Sequence, residues 1–150
     1  MIDSDRQDEL FKFLGEKLKK KIECFVIGGS AMMYYGIKGL TKDIDLVFEN
    51  EKDREEIIKL LKEMGYRERD TKILYLKKKN TPILLQRNDT RLDLFWKKII
   101  NTVLSEGMKK RIGSVYEYSN LVVKVVSPED LIITKCATER AGDRECKRGL

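Results

Sequence analysis

Three aspartates in the chain have the type and spacing to do chemistry. Asp43 and Asp45 flank Ile44 in the run Asp43-Ile44-Asp45-Leu46-Val47-Phe48, and Asp93 lies between Leu92 and Leu94, just ahead of Phe95-Trp96. On a β-strand, residues two apart point to the same face. Asp43 and Asp45 therefore stand side by side and repel each other as carboxylates unless something positive lies between them. A divalent cation resolves that repulsion directly, because Mg²⁺ takes carboxylate oxygens and shares its other positions with substrate phosphates. Basic side chains would serve too, and Asp-x-Asp also occurs on solvated strand ends. Asp93, with apolar neighbours on both sides, needs a metal, an ion pair or an exposed strand face in order to stay ionised. Arg91 shares its side of the strand and is one candidate partner.

A second feature is Gly28-Gly29-Ser30, which follows the apolar run Glu23-Cys24-Phe25-Val26-Ile27 and precedes a helical pattern, Ala31-Met32-Met33-Tyr34-Tyr35. A glycine turn between strand and helix exposes bare backbone N–H groups at a helix N-terminus, the arrangement that holds phosphate, and Ser30 adds a hydroxyl donor. Such junctions also serve as plain turns. The chain has no histidine. Catalytic triads, Cys-His dyads, histidine bases and the common zinc sites are thereby excluded, leaving carboxylates, lysine or cysteine for any acid–base or metal chemistry.

Several elements must position these residues. Leu10, Phe11, Phe13, Leu14 and Leu18 recur at helical spacing, which predicts an amphipathic helix over Ser4–Lys21 with Ser4 as N-cap. Strands are predicted at 23–27, 43–48, 73–76, 83–86 and 91–96, and a helix over 51–64 ends at Gly65. The strands from 73 to 96 should be antiparallel neighbours. Residues 99–108 read as a helix broken near Gly107, and Ser119-Asn120 joins a hairpin of 115–118 and 121–126. Ser127-Pro128-Glu129-Asp130 offers an N-cap, a proline at the first helical position and acids in the first turn, so a helix begins there and runs through at least Arg140.

The 150 residues, 41% of them hydrophobic, suit one domain with one core. No apolar run approaches the roughly 20 residues of a membrane span, and the acidic start Met1-Ile2-Asp3-Ser4-Asp5 differs from a signal peptide. A cytoplasmic protein is the expectation. Three cysteines, Cys24, Cys136 and Cys146, lack metal-ligand spacing and read as reduced thiols. The net charge of +6 would suit a nucleotide, RNA or merely a soluble surface, since the lysines are scattered among glutamates.

Taken together, Gly28-Gly29-Ser30, the Asp43-x-Asp45 pair twelve residues on and the distant Leu92-Asp93-Leu94 resemble the DNA polymerase beta-like nucleotidyltransferase superfamily. The Gly-Gly-Ser-Ala-Met start, the phrase Thr41-Lys42-Asp43-Ile44-Asp45 and the late Ser127 to Lys135 run, followed by Arg140 and Asp143, are similar to the small prokaryotic branch that includes abortive-infection type toxins. The resemblance implies a mixed β-sheet of about five strands with helices packed on it, an α/β (α+β) architecture closed by a C-terminal helix. It also implies transfer of a nucleoside monophosphate from a nucleoside triphosphate to a hydroxyl of RNA, protein or a small molecule. Asp43 and Asp45 would hold two Mg²⁺ ions, or Mn²⁺, with Asp93 on the catalytic metal and aiding deprotonation of the acceptor. Gly28, Gly29 and Ser30 would grip the phosphates. Lys135 would neutralise charge on the triphosphate, with Lys42 and Lys38 as lesser phosphate contacts. Relatives of this kind continue through further helices, whereas this chain ends at Leu150, so a partner protein or an oligomer would supply further surface. The alternative is a non-catalytic nucleotide- or partner-binding antitoxin or regulatory module of the same fold.

Overall fold

The computed structural model of the chain describes residues 1–70, 80–100 and 102–137, the last three by backbone alone. The strand expected at 73–76, together with Arg140, Asp143, Cys146 and the side chains of Lys135 and Cys136, lies outside the described set.

The chain opens with a two-residue strand β1 (Ile2–Asp3) and helix α1 (Ser4–Lys17). The cap of α1 is Asp3, not Ser4: the Asp3 side chain accepts from the Arg6 amide, and the helix ends at Lys17, short of the expected Lys21. Strand β2 (Ile22–Ile27) leads into the short helix α2 (Gly28–Tyr34), and β3 (Leu40–Thr41) precedes β4 (Asp43–Phe48). Helix α3 (Glu51–Glu63) starts at an Asn50 cap, which accepts from the Lys52 amide. Strands β5 (Arg67–Arg69), β6 (Ile83–Arg87) and β7 (Thr90–Trp96) follow, then the small pair β8 (Lys98–Ile99) and β9 (Thr102–Val103). Helix α4 (Glu106–Lys110) contains Gly107, where a break was expected; the Ser105 hydroxyl caps it by accepting from the Met108 amide. The hairpin β10 (Ser114–Tyr118) and β11 (Leu121–Val125) comes next, and α5 (Pro128–Ala137) begins where the Ser-Pro-Glu-Asp sequence places it.

Seven strands make the main sheet, in the order β10-β11-β2-β4-β7-β6-β5, against the five or so expected. The sheet is mixed: β11–β2 and β4–β7 run parallel, the other neighbours antiparallel. Its core is continuous, with Phe11, Leu14, Ile22, Phe48, Ile57, Leu61 and Phe95 all fully buried. Ile44 looks into the crevice between Leu10 and Phe13 of α1 and Met64 at the end of α3. Strand alternation therefore turns Asp43 and Asp45 to the opposite face of the sheet. Among the described residues, no helix is long and apolar enough to cross a membrane. Cys24 is a buried free thiol, pushed up to about 12 by burial.

The α5 start is tied to the rest of the fold by an ion pair. Arg111 Nε and Nη2 donate to the two oxygens of the buried Asp130 at 3.1 and 2.9 Å, and the Ser127 hydroxyl donates to Asp130 Oδ2 at 2.8 Å. The Arg111 guanidinium, seconded by Ser127, holds the Asp130 carboxyl below its usual range against the opposing effect of burial. Because the folded value is depressed, this stabilisation is complete above the ordinary carboxylate range and is lost as pH falls through the folded value. Arg111→Met is expected to lower the melting temperature near neutral pH and to flatten its decline between about pH 5 and about pH 2. Parallel melting curves for variant and parent across that range would show that the pair carries no proton linkage.

Candidate active site

The register of β4 on β7 assembles the carboxylates. Asp43 pairs with Arg91 and Asp45 with Asp93, so four charged side chains occupy a two-by-two block on one sheet face. One ligand oxygen from each of Asp43, Asp45 and Asp93 lies within 4.8 Å of the others. Asp45 is 7% exposed and Asp93 fully buried, while Asp43 is only partly covered. Arg91 Nε and Nη2 both donate to Asp43 Oδ1, at 2.9 and 2.6 Å. Arg91 thus pairs across the strands with Asp43.

The donor set fits a hard divalent cation. All three groups are carboxylates, and ligand oxygens on opposite sides of Mg²⁺ stand roughly 4.2 Å apart. A spread of 4.8 Å therefore needs only small side-chain shifts to close on one ion.

The glycine turn is built against the same carboxylates. β2 ends at Ile27, which is paired with Asp45, and the chain leaves the sheet there through Gly28 at a φ of 65°. A side chain at Gly28 would be strained by that backbone, and its Cβ would stand 2.5 Å from Asp45 Oδ2. A Cβ on Gly29 would overlap the Thr41 hydroxyl and come within 3.5 Å of Lys38 Nζ. The turn thus approaches Asp45 so closely that a side chain on Gly28 would not fit. Ser30 lies in the first turn of α2, and its side chain is fully buried, with the hydroxyl donating to Gln7 Oε1 of α1. Its backbone N–H remains at the start of α2. Of the two nearby lysines, Lys38 reaches the turn, whereas Lys42 is exposed beside Asp43.

Two supporting residues, Gln7 and Thr41, escaped the sequence reading, and a third, Arg91, was read against Asp93 with its Asp43 contact unseen. Gln7, 2% exposed, sits on the same stripe of α1 as Phe11 and Leu14; a polar residue at spacing i, i+4, i+7 of a buried stripe was the available signal. Thr41 is buried, and its hydroxyl donates to the Asp43 carbonyl at 3.0 Å, tying β3 to the start of β4. Arg91 had a signal only through its strand partner. Tyr34 and Tyr35 take the packing role: Tyr34 stacks on Tyr116 with ring centroids 4.5 Å apart and shares a hydrogen bond with Tyr118, and the Tyr35 hydroxyl donates to the Val126 carbonyl.

Comparison with known proteins shows a nucleotidyltransferase fold. The crystal structure of ANT(2″)-Ia in complex with adenylyl-2″-tobramycin shares this fold at a TM-score of 0.53 and 20% identity, over 84% of this chain and 72% of that one. The profile of the family described as nucleotidyltransferase of unknown function (DUF6036) matches residues 6–146, and the chain belongs to that family. No curated protein matches it in sequence.

Proposed function

We propose that the protein transfers a nucleoside monophosphate from a nucleoside triphosphate to a hydroxyl acceptor, with release of pyrophosphate. The observation that carries this reading is the register that opposes Asp45 to Asp93 and Asp43 to Arg91 beneath the bare Gly28-Gly29 turn. In this reading the Gly29 and Ser30 amides orient the terminal phosphates, while Lys38, with Lys42 and Lys135 as further cations, offsets triphosphate charge. Asp43, Asp45 and Asp93 would hold Mg²⁺ or Mn²⁺, which supplies Lewis-acid stabilisation of charge on the phosphoryl oxygens. Asp93 accepts the proton of the acceptor hydroxyl, whose oxygen bonds to the α-phosphorus as the bond to pyrophosphate breaks.

The late Ser127–Lys135 run supports a place beside the small prokaryotic toxin-like nucleotidyltransferases, acting in the cytoplasm on RNA or protein. The solved neighbour holds an adenylylated small molecule, which favours including small-molecule hydroxyls among the acceptors tested. The direct experiment offers each of the four α-labelled nucleoside triphosphates with Mg²⁺ to total RNA, total protein and a panel of aminoglycosides. Label is expected in one acceptor class, with pyrophosphate released in step. Nucleotide binding without label transfer or pyrophosphate would favour the non-catalytic antitoxin-like or regulatory module, and no nucleotide binding would end both readings.

A further inference from the structure

The crevice that Ile44 faces lies behind the carboxylate strands, and its lining differs from the site in front of them. It encloses about 500 Å³, within the range of small-molecule sites. Most of the lining is aliphatic, from Ile2, Leu10, Ile44 and Met64, and Phe13 adds a ring that is 41% exposed. The polar part of the lining is cationic. Arg6 and Arg87 contribute two guanidinia against the single carboxylate of Glu9. Arg87 is held over the Tyr66 ring at 4.9 Å and donates from Nη1 to the Met64 carbonyl at 2.7 Å, but among the described residues it has no acidic partner. Arg6 reaches Asp89 only at 4.0 Å, in an exposed pair. Tyr66 is 3% exposed and lines the crevice, and among the described residues its hydroxyl has no hydrogen-bond partner. Burial pushes the Tyr66 phenol up, while the charges of Arg87 and Arg6 pull it the other way, so both guanidinia act on this one hydroxyl.

An arginine fixed by a ring face and one carbonyl keeps further N–H donors for an acceptor, and its planar fork matches a carboxylate. An aliphatic lining next to such a group complements a ligand with an apolar chain and one acidic head. The chain gains by leaving water, and the head satisfies the guanidinium and the buried hydroxyl together. An organic cation would meet two like charges, and a neutral oil would leave the Tyr66 hydroxyl unmet. We infer that this crevice is a second ligand site, which takes an alkyl carboxylate of about eight to twelve carbons. Its chain would lie on Ile2, Leu10, Ile44 and Met64, with its head between Arg87 and the Tyr66 hydroxyl. Arg6 adds attraction for the head, and Glu9 opposes it. The occupant would rest on Ile44, between Asp43 and Asp45 in β4 but on the face away from their side chains, so this site and the carboxylate block share a strand without sharing a surface.

The test is isothermal titration of the whole chain with sodium decanoate, beside decylammonium and acetate as controls for head and chain, with methyl resonances followed by NMR. One decanoate per chain is expected to bind, to shift the methyl signals of Ile44 and Met64 and to raise the melting temperature. Decylammonium and acetate should do none of this at the same concentrations. Arg87→Met keeps an apolar stem at an exposed position and is expected to weaken decanoate binding about tenfold or more, the loss of a charge-assisted contact. Tyr66→Phe keeps the ring, removes the hydroxyl and should weaken binding by a smaller factor, while Glu9→Gln should tighten it. Melting curves of the free variants show that each is folded. No decanoate bound, equal binding of decylammonium, shifts confined to methyl groups away from Ile44 and Met64, or unchanged affinity in a folded Arg87→Met would each overturn the inference. None of these measurements uses nucleotide or metal, so a negative result here leaves the reading of the carboxylate site standing.

Discussion

Asp45→Asn and Asp93→Asn are each expected to lower nucleotidyl transfer by roughly 10²- to 10⁴-fold. Asp45 and Asp93 are directly opposed in the β4–β7 register and almost wholly withdrawn from water. Asparagine keeps the shape of either side chain and removes its charge, so it is a poor metal ligand at both positions, and at Asp93 it also cannot accept the acceptor's proton. Label-transfer assays on both variants, beside thermal unfolding to show that each is folded, would check the expectation. Transfer within tenfold of wild type would remove these aspartates from the chemistry.

The second large effect is structural. Gly15 is buried in the last turn of α1, where an added Cβ would overlap the Tyr118 carbonyl at the end of β10. The helix end is sewn to the hairpin there: the Asn120 amide donates to the Gly15 carbonyl at 3.2 Å and the Asn120 side chain to the Leu18 carbonyl at 2.7 Å. On helix propensity alone Gly15→Ala should stabilise, by up to about 1 kcal/mol. Backbone against backbone cannot yield as a flexible side chain can, and overpacking costs typically about 1–3 kcal/mol and at times more. Net destabilisation of at least about 2 kcal/mol is expected in chemical denaturation. Gly39→Ala is the control, since a Cβ there meets nothing within 4 Å; it should be near neutral. A stabilised Gly15→Ala would show that α1 sits further from the hairpin than described.

What the sequence made legible, it did through local rules. Period-two alternation placed Asp43 and Asp45 on one face, and Ser127-Pro128 marked the start of α5, because both depend on neighbours within a few residues. Asp3 displaced Ser4 as cap because two adjacent cap-forming residues compete and sequence alone does not choose between them. Gly107 stayed inside α4 because a weak helix former in a five-residue helix capped by Ser105 costs less than the break would. With only Asp93 on its own strand in view, the pairing of Arg91 with Asp43 could not be read. It depends on which strand lies beside β7 and in which register, a matter of pairings more than forty residues apart. The contact of the Ser30 hydroxyl with Gln7 was hidden for a related reason: Gln7 lies on a helix that only the tertiary fold brings near.

The β4–β7 pairing also makes the chemistry a gauge of topology. These strands are parallel and joined through α3, β5 and β6, so their contact closes late against the entropy of a long loop. A slip of one residue would still bury an apolar strand, but it would swing Leu92 or Leu94 to the place of Asp93 and send the aspartate to the opposite face. Such a protein could be compact, helical and catalytically dead. Recovery of label transfer after denaturation therefore counts the chains that have found the right alignment, a quantity that circular dichroism, which sees strands and helices in any register, would overstate.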